Sequence, residues 1–310
     1  MAERLLAIVG PTATGKTEVG VLLAEALGGE IVSADSMQVY RGMDIGTAKP
    51  TAEQRARVRH HLIDIVDPDE LFSVADYRKR ADAALEDIWG RGRQPILVGG
   101  SGLYVRAVLE EMDFSEVPPD PELRRRLTAE ARSKGTRALH EWLSEVDPEA
   151  AARIHPNDEK RIIRALEVSE SVGGGGPPPR KLDRRRRVRY NTRQFGLNVA
   201  REELYRRIEA RVDGMIARGL VEEVRGLLER GYGKGLVAMK GLGYGQLAPH
   251  VQGEVSLEEA VRRLKRDTRR FAKRQLTWFR ADERVEWVDV MEAGGVAGAV
   301  EQIRRRWEEQ

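Results

Sequence analysis

Over roughly the first third of the chain, short apolar runs alternate with segments in which apolar residues recur every three or four positions. The runs have the length and composition of buried strands. They span residues 5–9, 30–34, 61–66 and 95–98. Helical periodicity covers residues 19–27 and 73–89 and resumes after residue 102. Because strands alternate with helices, we predict the α/β class, with a parallel sheet wrapped by helices.

This alternation ends at Val117-Pro118-Pro119. From residue 120 to residue 171 the apolar spacing is helical throughout, and a Gly/Pro-rich run at 173–179 predicts a hinge. We therefore expect an all-helical insertion inside the α/β core. The predicted core comprises residues 1–116 and 190–310, and the predicted insertion domain comprises residues 117–189.

The last third of the chain is predicted to be mainly helical. Residues 193–197 are expected to return to the sheet as one more strand, and residues 202–228 to form one long helix or a pair. Residues 256–279 form another amphipathic pattern, and Ser256 with Glu259 three positions later is a capping-box signature. The carboxyl-terminal part of the core should therefore consist of long helices.

Composition narrows the class of protein further. The 310 residues include 41% hydrophobic residues, enough for a packed core, and no cysteine, which excludes disulfides and cysteine-based metal sites. The first apolar run starts almost at the amino terminus, and no run approaches the ~20 residues of a membrane helix. We therefore expect a cytoplasmic protein without a signal peptide and without membrane contact.

The first predicted strand and helix are joined by Gly-Pro-Thr-Ala-Thr-Gly-Lys-Thr. A glycine-bounded loop between a strand and a helix is the context of a phosphate-binding loop, or P-loop. Its backbone N–H groups and the helix dipole favour an anion, Lys16 adds a full positive charge, and the Thr17 hydroxyl is a candidate Mg²⁺ ligand. We therefore predict a P-loop-type core that binds a diphosphate or a nucleotide. The predicted binding residues are Gly10, Pro11, Thr12, Ala13, Thr14, Gly15, Lys16 and Thr17.

A carboxylate, Asp35, follows the second predicted strand. The carboxyl edge of a parallel sheet is where α/β proteins place their chemistry. Asp35 is thus a candidate general base or a ligand of Mg²⁺-bound water, with a helix cap as the structural alternative. The strand at 95–98 ends in Gly99-Gly100 rather than in an aspartate. This leaves Asp64 and Asp67 as other Mg²⁺ candidates and indicates that a bulky group approaches the backbone.

Basic residues cluster on the last long helix. The net charge is only +3 although 33% of residues are charged, which indicates local patterning rather than a uniformly basic surface. Residues 262–280 carry cations around much of the helix, interleaved with Phe271, Trp278 and Phe279. This pattern is typical of RNA binding, in which cations contact phosphates and aromatic rings pack or stack. A solvated surface is the alternative, and we expect Trp278 to belong to the core.

Arg207 and Arg211 lie four positions apart on a predicted helix, so that both side chains share one face. They could clamp a diphosphate, or they could form surface pairs with Glu203 and Glu209. The spacing does not separate these two interpretations. The five histidines show no spacing typical of a metal site.

Taken together, these segments resemble those of the tRNA dimethylallyltransferases of the bacterial type, also called tRNA isopentenyltransferases. The resemblance extends over nearly the whole chain. Its motifs are residues 10–17, 33–40, 42–50, 98–104, 154–158, Arg161, 164–167, Arg207-Ile208 with Arg211 and Met215, 243–244 and 272–278. Two positions depart from the family pattern: Ser101, where the family usually has threonine, and the Gly/Pro run at 173–179.

The resemblance implies the transfer of a dimethylallyl group from dimethylallyl diphosphate to N6 of the adenosine 3′-adjacent to the anticodon, in tRNAs that read codons beginning with U. It implies Asp35 as the base, Lys16, Arg211 and Mg²⁺ on Thr17 as partners of the leaving diphosphate, and Thr12 as donor to the bridging oxygen. The insertion and the last helix would hold the anticodon stem-loop on a monomeric enzyme. The expected tRNA-binding residues are Asp35, Ser36, Met37, Gln38, Ser101, Arg124, Lys160, Arg161, Arg164, Gly243, Tyr244, Arg269, Lys273, Arg274 and Gln275.

Three other functions are compatible with parts of the sequence. An ATP-dependent small-molecule or nucleotide kinase would explain the P-loop and the sheet, but would leave the basic segments unexplained. An isopentenyltransferase of free adenine nucleotides would explain the site but not those segments. An RNA-binding module with a vestigial nucleotide site would leave Asp35, Lys16 and Arg211 without a function.

Overall fold

Six strands form a single sheet in the computed structural model, which describes residues 3–112, 117, 120–171 and 187–309. The strands are β1 Arg4–Val9, β2 Gly29–Ser33, β3 His60–His61, β4 Gln94–Gly99, β5 Asn191–Asn198 and β6 Val285–Asp289. Their order across the sheet is β3-β2-β4-β1-β5-β6, and every pairing is parallel. The predicted α/β class is therefore confirmed.

Thirteen α-helices and one 3₁₀ turn accompany these strands in the described residues. The helices are α1 Lys16–Leu27, α2 Ala52–Arg57, α3 Val74–Gly90, α4 Gly102–Leu109, α5 Pro121–Lys134, α6 Thr136–Val146, α7 Pro148–Arg153, α8 Glu159–Ser171, α9 Arg201–Ala217, α10 Leu220–Glu229, α11 Tyr244–Val251, α12 Leu257–Arg280 and α13 Gly295–Glu308, and the 3₁₀ turn is Ala238–Lys240. None of the described helices combines the length and the apolar character that a bilayer span requires.

The third predicted strand was wrong in its extent. Only His60 and His61 pair with β2, whereas Leu62 and Asp64 adopt left-handed backbone angles, with φ of 65° and 57°. A strand cannot continue through such residues, because left-handed angles turn the chain away from the ladder. Farther on, Val66 makes only an isolated bridge with Tyr40. The sequence interpretation also omitted β6 and α13.

The central strands are buried on both faces, as parallel strands between helices should be. Leu5, Leu6, Ala7, Ile8 and Val9 of β1 have no exposed surface at all. On one face of the sheet β1 packs with α1 and α13, and on the other with α3 and α4. This packing holds the start of α1 at the carboxyl end of β1, where the P-loop joins them.

Two compact units make up the chain, Met1–Glu111 with Arg187–Gln310 and Met112–Arg186. The first contains the sheet, and in the second the described helices α5 to α8 enclose a small apolar core. As the Asp120-Pro121 pair would favour, Asp120 caps α5 by accepting hydrogen bonds from the N–H groups of Glu122 and Leu123. The predicted hinge at 173–179 lies outside the described residues, and the tRNA-binding role of the insertion stays a prediction.

A buried carboxylate stabilises this second unit. Glu167 on α8 has no exposed surface, and its carboxylate accepts hydrogen bonds from the Asp120 N–H at 2.6 Å and from Arg124 Nη2 at 2.8 Å. The same carboxylate pairs with Arg164. The group thereby joins α8 to the start of α5.

We predict that Glu167→Ala lowers the opening free energy of α8 by about 3 kcal/mol, because it leaves two arginines beside an emptied acceptor site. Hydrogen exchange of α5 and α8 peptides measures this change, with peptides of β1 as the internal reference. Glu170 also lies on α8, and its exposed side chain pairs with Arg126 of α5. Glu170→Ala should change the opening free energy by less than about 0.5 kcal/mol. Equal effects of the two substitutions would contradict the structural role of Glu167.

Candidate active site

Loops that follow β1, β2 and β4 meet at the carboxyl edge of the sheet, where they line a cavity of about 750 Å³. Side chains of α9 and α12 and the segment 240–243 complete its walls. Many of the residues expected from the sequence to be functional line this one cavity. They are Thr12, Ala13, Gly15, Lys16, Thr17, Asp35, Ser36, Met37, Gln38, Ser101, Arg211, Gly243, Arg274 and Gln275.

The P-loop adopts a conformation that few sequences allow. Gly10 has a φ of 132°, and a Cβ at this position would lie 2.6 Å from the carbonyl oxygen of Leu197 on β5. Ala13 and Gly15 also adopt positive φ angles, of 66° and 92°. The loop therefore turns tightly between β1 and α1, as a phosphate-binding loop must.

Hydrogen bonds within the loop orient its functional groups. The Lys16 ammonium donates to the carbonyl of Pro11 at 2.7 Å, and the buried Thr14 hydroxyl donates to the same carbonyl at 2.9 Å. By contrast, the Thr17 hydroxyl makes no hydrogen bond to another described residue and lines the cavity. Lys16 thus crosses the loop, while Thr17 remains available to a ligand.

Two cations and one carboxylate face one another in the cavity. Burial lowers the pKa of Lys16 to about 7; the nearby Arg211 guanidinium lowers it as well, and Asp35 partly opposes both effects. Burial also lowers the pKa of Arg211, again against the attraction of Asp35. Arg211 forms no ion pair within 4.0 Å with any carboxylate in the described part of the chain. Two basic groups thus lie beside one carboxylate, and a bound anion would stabilise their charged forms.

Asp35 lines the cavity and has one carboxylate oxygen bound to the protein. Its Oδ1 accepts hydrogen bonds from the N–H groups of Met37 at 2.8 Å and Gln38 at 3.4 Å, whereas no described residue donates to Oδ2. Burial raises the pKa of Asp35, and the two N–H groups, Lys16 and Arg211 moderate the rise. The turn thus fixes the carboxylate while leaving one oxygen free to accept a proton.

Neighbouring polar side chains are bonded to the protein itself. The Ser101 hydroxyl accepts from the Ser36 N–H at 3.0 Å and donates to the Ser36 hydroxyl at 3.2 Å. The Gln38 amide accepts from the Ser33 hydroxyl and donates to the carbonyls of Thr47 and Ala48. These contacts join the loops after β2 and β4 and leave the cavity with a preformed wall.

Gln275 connects the last long helix with the P-loop. Its Oε1 accepts from the Thr12 N–H, its Nε2 donates to the Gly100 carbonyl, both at 2.9 Å, and the side chain is buried. A Cβ at Gly100 would lie 2.2 Å from this amide, and one at Gly99 would lie 2.1 Å from the Ala34 carbonyl. The two glycines therefore admit the protein's own groups, which corrects the expectation that they admit a bulky ligand.

Cations of α12 fall into two classes. Lys273 and Arg274 are exposed and form no ion pair in the part of the chain that the structure describes, and Arg274 also lines the cavity. Arg269 instead pairs with Glu209 at 2.7 Å. Trp278 lies against Gly102 and is 38% exposed, so its assignment to the core was wrong.

The surroundings of the other expected tRNA contacts correct one of them. Tyr244 has no exposed surface, and its hydroxyl donates to Glu223, so its side chain cannot contact RNA in this conformation. Arg124 and Arg164 are bound to Glu167, which gives them a structural role in the second unit, and their tRNA contacts stay a prediction. Lys160 and Arg161 are exposed on α8, where Arg161 lies 3.3 Å from Asp158.

The alternatives left open by spacing are now separated. Arg207 pairs with Glu203 at 2.6 Å outside the cavity, whereas Arg211 lines it, so the two arginines form no clamp. Asp64 binds Lys49 and Arg55, and neither Asp64 nor Asp67 lines the cavity. Among the described residues no cluster of three or more His, Asp or Glu side chains could hold a metal ion.

Comparison with known proteins identifies the family of this chain. The model of the IPP transferase family matches residues 38–282 of the chain. The chain belongs to the IPP transferase family. The fold and the predicted family are thereby confirmed, as is its class as a transferase.

Similar family members include proteins known from sequence and from structure. The chain is 59% identical to the tRNA dimethylallyltransferase of Desulforudis audaxviator over 96% of both chains. The chain also resembles the crystal structure of the full-length tRNA isopentenylpyrophosphate transferase from Bacillus halodurans. The alignment covers 99% of this chain and 100% of that chain, with 46% identity and a TM-score of 0.69. The alignment with the structure of a eukaryotic dimethylallyltransferase acting on tRNA covers 92% of this chain and 73% of that chain, with 27% identity and a TM-score of 0.77.

Several residues of this family member escaped the sequence interpretation. Lys240 and Arg270 add positive charge to the cavity, and Glu223 binds the loop at 44–46 from outside it. Lys240 and Arg270 are separated by 30 positions of sequence, and the packing of α11 against both the 3₁₀ turn and α12 relates their segments. The basic pattern of residues 262–280 included Arg270 without distinguishing it from its neighbours, and no local pattern indicated Glu223.

We predict that diphosphate binding at about pH 8 is accompanied by the uptake of about one proton by Lys16. With a pKa of about 7, most Lys16 is neutral at that pH, and a bound anion stabilises the protonated form. Calorimetric titration in buffers of different ionisation enthalpy measures the uptake. Lys16→Arg retains a permanent charge and should bind diphosphate with about one proton less. Equal proton uptake by the two proteins would contradict the lowered pKa of Lys16.

Proposed function

We propose that this chain is a tRNA dimethylallyltransferase that modifies N6 of the adenosine 3′-adjacent to the anticodon, in tRNAs reading codons that begin with U. The observation that carries the proposal is that Asp35, with one oxygen to which no described residue donates, lines the same cavity as Lys16 and Arg211. A proton acceptor and an anion site in one cavity fit a reaction that releases both a proton and a diphosphate.

The P-loop side of the cavity is the proposed donor site. Backbone N–H groups of the loop, the Lys16 ammonium and the Arg211 guanidinium would hold the diphosphate of dimethylallyl diphosphate. Because charge accumulates on the diphosphate as the C–O bond breaks, these groups stabilise the transition state more than the ground state. The Thr12 hydroxyl is placed on the same loop and, by family resemblance, would donate to the bridging oxygen.

Mg²⁺ fits this donor site in its chemistry. Mg²⁺ is commonly bound by one or two protein oxygens together with substrate phosphates and water. The Thr17 hydroxyl, which makes no hydrogen bond to another described residue, would supply the protein ligand. When bound, the ion would neutralise diphosphate charge.

Asp35 is the proposed general base. The lone pair of an adenine amine is delocalised into the ring, so N6 becomes nucleophilic only as a proton is removed. As the bond from N6 to the allylic carbon forms, the C–O bond to the diphosphate breaks and the N6 proton moves to Asp35 Oδ2. The hydrogen bonds from Met37 and Gln38 to Oδ1 hold the carboxylate for this transfer.

The acceptor base must leave the stacked anticodon loop to reach this carboxylate. Lys273 and Arg274 are exposed on α12, and Arg274 lines the cavity, so both would contact RNA phosphates, while Lys160 and Arg161 offer exposed charge on α8. Ser36, Met37, Ser101 and Gly243 line the space for the base. A monomeric, cytoplasmic enzyme remains the expectation from the sequence.

A P-loop kinase that uses ATP is the alternative function. A transfer assay with radiolabelled dimethylallyl diphosphate and tRNA, AMP or no acceptor, run beside an ATP hydrolysis assay, distinguishes the two. The proposal predicts label in tRNA alone and no ATP turnover stimulated by an acceptor. Label in AMP alone, or ATP turnover without prenyl transfer, would contradict it.

We predict that Asp35→Asn slows the chemical step by about two to four orders of magnitude, because an amide oxygen is a poor proton acceptor. Single-turnover transfer to a tRNA anticodon stem-loop, at saturating donor and Mg²⁺, measures this rate. Both substrates should bind nearly as before. Asp67→Asn, at an exposed carboxylate paired with Arg41, is the matched control and should retain the full rate. Recovery of the Asp35→Asn rate by extra Mg²⁺ would contradict the base role.

We also predict that Lys273→Gln and Arg274→Gln each reduce the salt dependence of tRNA binding by about one unit of slope, since each removes one phosphate contact. Binding titrations at several salt concentrations measure the slope, and diphosphate affinity should not change. Arg305→Gln on α13, which removes an exposed charge 3.7 Å from Glu309, is the control. An unchanged slope in both α12 variants would show that these cations belong to a solvated surface and do not contact RNA phosphates.

A further inference from the structure

One carboxylate outside the cavity holds a wall of the cavity in place. Glu223 on α10 accepts hydrogen bonds at Oε2 from the N–H groups of Asp44 at 3.0 Å and Ile45 at 2.8 Å. Its Oε1 accepts from the Gly46 N–H at 3.2 Å and from the Tyr244 hydroxyl at 2.6 Å. Four donors thus converge on one side chain, and three of them are backbone groups of one loop.

The loop itself is pressed against α11. A Cβ at Gly46 would lie 2.6 Å from the ring of Tyr244, so only glycine allows this approach. At the other end of the loop, the buried Lys49 ammonium binds the Tyr40 carbonyl and the carboxylates of Asp44 and Asp64. Residues 44–49 are therefore anchored at both ends by buried or half-buried polar groups.

The opposite side of this loop faces the proposed reaction site. Gly46, Thr47 and Ala48 line the cavity, and the carbonyls of Thr47 and Ala48 each accept from Gln38 Nε2 at 3.3 Å. The Gln38 N–H in turn donates to Asp35 Oδ1 at 3.4 Å. Hydrogen bonds therefore join Glu223 to the start of the loop, the end of the loop to the Gln38 side chain, and the Gln38 N–H to the proposed base, with the covalent chain between these links.

We infer that Glu223 is a positioning residue for the transfer reaction, which fixes the 44–48 loop and, through Gln38, the Asp35 carboxylate. This inference rests on the proposed function. Glu223 lines no part of the cavity, so it cannot touch either substrate there. Its effect must pass through the backbone of the loop, and a displacement of about 1 Å at a reacting group can cost about a hundredfold in rate.

Glu223→Gln tests the inference with little change in volume. Both carboxylate oxygens accept from two donors each, so either orientation of the glutamine amide sets its NH₂ group against two donors. We expect kcat to fall about ten- to a hundredfold. The KM for dimethylallyl diphosphate should stay within about twofold, because no described hydrogen bond joins this network to the P-loop.

Glu222→Gln is the matched control on the same turn of α10, since that glutamate is exposed and only approaches Arg225 at 3.8 Å. Rates are expressed per diphosphate-binding site, counted by calorimetry, so that unfolded protein does not contribute. Tyr244→Phe retains the buried ring and removes one donor, and it should produce a smaller fall in kcat in the same direction. If Glu223→Gln fails to bind diphosphate, the kcat of Tyr244→Phe tests the positioning role in its place.

The outcomes separate the inference from the proposed function. A wild-type chain that transfers no dimethylallyl group to tRNA refutes the function itself. An active wild type, with Glu223→Gln and Tyr244→Phe both matching the kcat of Glu222→Gln, refutes the positioning role alone. An equal loss in kcat and in donor affinity would also refute it, because a general loss of structure would produce that result.

Discussion

The uncompensated positive charge beside the P-loop is the constraint on which the rest of the site depends. Of the carboxylates that line the cavity, only Asp35 shifts the pKa of both Lys16 and Arg211, and Arg211 has no ion pair among the described residues. Two cations held close together in a partly buried site repel each other, and burial disfavours both charges. Such an arrangement persists in a folded protein when its purpose is to bind an anion.

The fold brings together three charged side chains that come from separate elements. Lys16 comes from the start of α1, Arg211 from the middle of α9, and Asp35 from the turn after β2. The parallel sheet brings the ends of β1, β2 and β4 to one edge, and burial of β1 on both faces fixes that edge. Gln275 then joins α12, with its exposed cations, to the backbone of the P-loop.

Local sequence was sufficient where the chemistry and the backbone lie in one segment. The P-loop could be predicted because its glycines, lysine and threonine are adjacent, and Asp35 because it directly follows a strand. Spacing could not distinguish Arg211 from Arg207, since two arginines one turn apart differ only in what packs against each. The resemblance implied a tRNA contact for Tyr244, and local sequence could not show that its side chain is buried against Glu223 of another helix.

The extent of β3 shows a second limit of local patterns. An apolar run indicates burial, but it does not show the left-handed angles at Leu62 and Asp64, which end the ladder. Asp64 binds Lys49 and Arg55, and Lys49 ends the loop that Glu223 holds at its other end. The chain after β3 therefore anchors a wall of the cavity instead of continuing the sheet.

In the proposed reaction one cavity holds the diphosphate and the adenine amine at the same time. A crystal structure with a non-reactive thio analogue of dimethylallyl diphosphate and an anticodon stem-loop would show whether it does. We expect the diphosphate on the P-loop against Lys16 and Arg211, and the adenine N6 within about 3 Å of Asp35 Oδ2. An adenine amine that faces another group, or a diphosphate bound away from the P-loop, would refute this arrangement.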